Sequence, residues 1–134
     1  MATFFEDLEV WLGKFPNVTV LIQNDDLTLR FYRKKLPTNP DFPALVATRI
    51  SEPRQRTQDG LSNLIRHVWQ FTCWATTLKG ADILADTLTA EISEYRGIMG
   101  SRMISGVKQL SRLDSSETDT DLEAQIMDFA IYEQ

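Results

Sequence analysis

The chain has 134 residues, 43% of them hydrophobic and 25% charged, with a net charge of −5. That is the size and balance of one soluble globular domain spanning 1–134, too short for two ordinary ones. Its single cysteine, Cys73, excludes an internal disulfide, and the acidic balance argues against nucleic acid as the main partner, because neutralising phosphates needs a positive surface. The opening MATFFEDLEVWLGKF carries acids where a signal peptide would carry lysines. No apolar run approaches the ~20 residues of a membrane span, so a protein made in the cytoplasm, away from membranes, is expected.

The first element reads as a helix. Thr3 and Glu6 form a capping box, and Phe4, Leu8, Trp11, Leu12 and Phe15 recur at three- and four-residue spacing as one apolar stripe. Gly13 weakens its end and Pro16 closes it. Val18–Ile22 is ambiguous and readable as a strand, with Asn24-Asp25-Asp26 as a turn. Leu29–Tyr32 suits a short strand, whereas Pro37, Pro40 and Pro43 keep the next stretch extended or turning.

Ala44–Ser51 is rich in β-branched residues and predicts a strand. The polar segment PRQRTQDG (53–60) predicts a loop joining it to an antiparallel strand over 64–75. On that strand Ile65, His67, Trp69, Phe71 and Cys73 share one face. A helix capped by Thr77 follows over 78–95, with Ala81, Leu84, Ala85, Leu88 and Ile92 inward. Gly97 and Gly100 end it and open a strand over 102–113; the polar DSSETDTD leads to a last strand over 122–132 with Met127, Phe129 and Ile131 inward. The order predicts an α+β domain: a mostly antiparallel sheet of four or five strands with two helices packed on one face.

The residues offer little chemistry. His67 and Cys73 are the one candidate nucleophile pair, but six residues along one strand separate them by roughly 20 Å. One histidine and one cysteine do not make a zinc site, and Asp114–Asp121 lacks the central glycine and closing glutamate of a calcium loop. The glycines are too sparse for a phosphate-binding motif. Asp82 and Asp86, one turn apart, lie on the polar side of their helix and read as solvated. No catalytic, cofactor or metal residue is assigned, and no enzymatic activity is expected.

Contact surfaces are the better prospect. Thr28–Arg56 holds seven bases (Arg30, Arg33, Lys34, Lys35, Arg49, Arg54, Arg56) against two acids, while Asp114–Gln134 holds seven acids and no base. In a subunit meeting copies of itself, such a split sets complementary charge and register. The candidate contact residues are Arg33, Lys34, Lys35, Arg54 and Arg56 on the basic side and Glu117, Asp119 and Asp121 on the acidic side. Trp74 joins them, because alternation places it opposite Trp69 and large aromatics are enriched in interface centres.

From about Phe42 onward the chain resembles the tail-completion, or tail-terminator, family of long-tailed bacteriophages. The resemblance rests on FPALVATRIS, a polar loop ending in DG, RHVWQFTCWATT and KGADILADTLTAEISEYRG, then GSRMISGV and MDFAIYE. Its matching positions are Val68, Gln70, Phe71, Cys73, Trp74 and Ala75, then Ala81, Leu84 and Ala85. It implies an α+β virion subunit that forms a ring, usually a hexamer. That ring would cap the tail tube, end its growth and meet the head-tail connector protein, while DNA passes through its lumen without specific binding. The neighbouring readings are a neck or head-completion adaptor between portal and tail and, from another class, a small ligand-binding domain.

Overall fold

A computed structural model describes residues 2–51, 65–117 and 121–134. It contains, among the described residues, three helices and one six-stranded sheet. Helix α1, Phe4–Leu12, begins at the expected capping box: the Thr3 hydroxyl accepts from the Glu6 N–H and the Glu6 carboxylate accepts from the Thr3 N–H. Gly13 caps its far end. Where a strand was readable after Pro16, the chain forms a second helix, α2, Pro16–Ile22. Proline at the first helical position lacks only an N–H that would be orphaned there anyway. Val18 and Ile22, one turn apart, are both buried, so packing overrides the weak helix preference of β-branched residues.

Strand β1 is Phe31–Arg33, β2 is Ala44–Ser51 and β3 is Ile65–Ala75. Helix α3, Leu78–Ile92, starts at Thr77, whose hydroxyl accepts from the Gly80 N–H. It stops short of the expected Tyr95, since Glu94 adopts a positive φ of 63° that breaks the helical path. Three strands follow: β4, Gly97–Met99; β5, Arg102–Glu117; β6, Leu122–Glu133.

The sheet order is β1-β2-β3-β6-β5-β4. β1 runs parallel to β2 and every other neighbouring pair is antiparallel. The expected sheet of four or five strands with two helices was thus short by β4 and α2, both too brief to carry a periodicity of their own. β5 also runs through Asp114–Glu117, a segment whose composition reads as loop. Pairing carries it onward: Asp114 faces Gln125 and Ser116 faces Glu123, and both pairs are joined by side-chain hydrogen bonds.

All three helices pack on one face. Leu8, Trp11 and Leu12 of α1, Val18 and Ile22 of α2, and Leu84, Leu88 and Ile92 of α3 form one cluster with Leu45, Trp69, Phe71, Cys73, Met127, Phe129 and Ile131 of the sheet. The odd positions of β3 are the expected core face. Phe71 and Phe129 meet edge to face, with centroids 5.8 Å apart, a contact worth about 0.5–1.5 kcal/mol beyond its buried area. The opposite face, which carries Val46, Thr72, Trp74 and Ile126 by register, receives none of the helices' core residues.

Candidate functional site

The charged side chains gather at the two ends of the sheet. At the end where β5 begins and β6 finishes, the helix-facing rim reads Arg33, Arg49, His67, Glu133 and Arg102 from β1 to β5. Its β5–β6 half is saturated from within. Asp7, buried on α1, accepts from the Ser101 N–H at 3.0 Å, the Ser101 hydroxyl at 2.8 Å and Arg102 Nε at 2.8 Å. Arg102 Nη1 also donates to both oxygens of Glu133 at 3.1 Å. Burial pushes the Asp7 carboxyl up, but the Ser101 bonds and the Arg102 guanidinium outweigh it and hold its pKa below the usual range.

His67 lies 2.8 Å from Glu133 by Nε2 and 3.4 Å from Arg49 Nη1 by Nδ1. Those partners select the neutral tautomer with its proton on Nε2. Burial lowers its pKa, and the nearby Glu133 carboxylate opposes that only in part.

The β1–β2 half of the rim is different. The Trp69 ring, wholly buried, lies under two guanidiniums, with Arg49 Cζ 4.8 Å and Arg33 Cζ 5.6 Å from its centroid. Arg33 also lies 5.9 Å from the Phe5 ring. These side chains border an open cleft of about 520 Å³ whose walls include Phe4, Arg33, Arg49 and Arg102.

At the opposite end, Arg112 of β5 reaches back over α3. It donates to Asp86 at 2.6 Å and Asp82 at 3.4 Å, and its Nε donates to the buried Gln125 at 2.9 Å. The Gln125 amide in turn bonds Asp114. The two aspartates read as solvated thus brace the hairpin of β5 and β6 onto α3.

Of the sequence-predicted contact residues, Arg33, Lys34 and Lys35 stand together, exposed, at the end of β1. Glu117 and Asp121 are exposed at the far end of the hairpin, where Asp121 takes a positive φ of 55°. Trp74 is half-buried on the helix-free face, opposite Ala124. Arg54, Arg56 and Asp119 lie outside the described residues, as does the loop over 53–60. Within one chain the basic and acidic groups do not meet. Four strand spacings and five residues of strand place Arg33 and Glu117 roughly 25 Å apart, diagonally across the sheet.

One base of the predicted basic segment is spent internally: Arg30 donates to the carbonyls of Leu21, Gln23 and Pro43 and to the Asn24 side chain. Sequence reasoning missed the roles of Asp7, Arg102 and Glu133, which are far apart in the chain; only the lone His67 signalled that end of the sheet. Cys73 is fully buried and burial pushes its thiol pKa up, so it stays protonated. Among the described residues no group of three or more His, Cys, Asp or Glu is placed to hold a metal ion, and no helix is long and apolar enough to cross a membrane.

No protein-family model matches the chain, and no curated protein matches it in sequence. Its backbone is similar to that of a chain in the solved structure of the virion of a native gene transfer agent (GTA) particle. The superposition has a TM-score of 0.64 at 10% identity and covers 96% of this chain and 90% of the other. At that identity the likeness shows a shared fold.

Proposed function

We propose that this chain is a structural subunit of a phage-like virion, which closes into a ring, caps the tail tube as tail-completion proteins do, and offers its other side to the head-tail connector. The observation that carries the reading is the fold: nearly the whole chain overlays a chain of a GTA virion particle, and the residues from Phe42 onward resemble the tail-completion family.

The charge layout supports a ring. Identical subunits joined head to tail close when their rotation closes, and such a joint needs two different, complementary patches on each copy. The exposed base cluster at β1 and the exposed acids at the β5–β6 turn are two such patches, diagonal to each other. No catalytic role is part of this reading, and the net charge of −5 suits a lumen that passes DNA without gripping its phosphates.

The test is the mass of the purified protein by light scattering, alone and with assembled tail tubes. A hexamer-sized species, or a monomer that assembles only at tube ends, is expected. A monomer that ignores tubes at every concentration overturns the reading. Particles made without the protein separate its two structural versions: overlong tails indicate a terminator, and normal tails left unjoined indicate a neck adaptor.

A further inference from the structure

We propose that the Arg33 side of the rim cleft is a carboxylate seat, and that its occupant is the acidic β5–β6 turn of a second copy of this chain. The inference deepens the ring reading and rests on it. Its starting point is an asymmetry. The rim holds three arginines, Arg33, Arg49 and Arg102, but the chain's own carboxylates there, Asp7 and Glu133, are consumed by Ser101, Arg102 and His67. Arg33 is left, among the described residues, with aromatic contacts and no ion pair.

Those aromatic contacts restrain the guanidinium over Trp69 and Phe5 without using any of its five N–H donors. Arg49 stands over the same indole ring, with its Nη1 3.4 Å from His67 Nδ1, and places a second guanidinium in the wall. Lys34 and Lys35 extend the positive edge into solvent. A planar, pre-positioned guanidinium beside other cations is the arrangement that recognises a carboxylate in a two-pronged fashion.

The occupant follows from what each copy carries. Glu117 and Asp121 are exposed at the hairpin turn, in a stretch from Asp114 to Gln134 without a single base. They lie too far across the sheet to reach Arg33 of their own chain. A neighbour can bring them there, and because every copy has both parts, the contact repeats head to tail.

The test is assembly, with or without tail tubes, followed by light scattering at about 50 mM salt, where surface charges are weakly screened. Arg33→Glu and Glu117→Arg are each expected to weaken assembly about tenfold or more. Mixed in equal amounts, the two variants should assemble again, because each reversed seat then meets a reversed turn. Recovery on mixing also excludes misfolding as the cause of the single losses. Variants that assemble like the unaltered chain, or losses that mixing does not restore, overturn the seat while leaving the ring reading intact. An unaltered chain that never assembles removes both.

Discussion

His67 shows how one side chain records its surroundings. It is packed against the Phe4 ring at a centroid distance of 4.0 Å and donates to Glu133. Burial lowers its pKa below the ordinary 6.5, so between that lowered value and 6.5 the unfolded chain binds more protons than the folded one. Stability therefore rises with pH through this window and is lost as pH falls below about 6.5, by at most ~1.4 kcal/mol per pH unit. The Asp7 carboxyl, whose pKa is also lowered, acts in a separate window: its contribution is present above the ordinary 3.8 and lost as pH falls through its lower folded value. Thermal midpoints from pH 7.5 to 5 should fall for the unaltered protein and fall less for His67→Gln, which keeps a donor for Glu133. Equal slopes would refute the assignment. That His67 sits on the core face was legible from the alternation of β3; its partner Glu133, 66 residues away, was not, because no local pattern links them.

Among the elements, the turn between β4 and β5 depends most on a single residue. Gly100 has a φ of +59°, and a Cβ there would lie 2.2 Å from Asp7 Oδ1. The turn wraps the carboxylate that ties α1 to the sheet, so its lack of a side chain and its left-handed backbone are both required. Gly100→Ala should cost about 2–4 kcal/mol, combining backbone strain with the displaced Asp7 bonds, and lower the thermal midpoint by several degrees. Gly106→Ala serves as the control, since nothing lies within 4 Å of its added Cβ; equal midpoints for the two variants would refute the argument. From sequence, Gly97 and Gly100 mark a break and a new strand, which is right in kind. That they bracket a separate short strand was hidden, because three residues cannot show an alternation. The hairpin of β5 and β6 was underestimated for a related reason. Its polar outer part reads as loop, and only cross-strand partners such as Gln125 for Asp114 and Glu123 for Ser116 reveal it as strand.

At the scale of the whole molecule, the proposed ring contact joins two exposed charged patches. Both are exposed, so their attraction is open to screening: the Debye length shortens from ~10 Å at 0.1 M salt to ~3 Å at 1 M. Self-association, with or without tubes, should weaken over that range. Association that strengthens with salt would point instead to apolar contact, through residues such as the exposed Leu113 and the half-buried Trp74 and Ile126 on the sheet face opposite the three helices.

Taken alone, the sequence determined the helix starts at Thr3 and Thr77, the core faces of β3 and β6, the α+β class and the uneven distribution of charge, since each is written in neighbouring residues through capping chemistry and periodicity. Tertiary structure decided the rest. It turned Val18–Ile22 into a helix by burying one of its faces; it tied Arg30 to backbone carbonyls and paired Arg102 and Arg112 with carboxylates from other elements. It left Arg33, Lys34 and Lys35 diagonal to Glu117 and Asp121. Pairing and distance between remote residues depend on strand order, which no local pattern encodes.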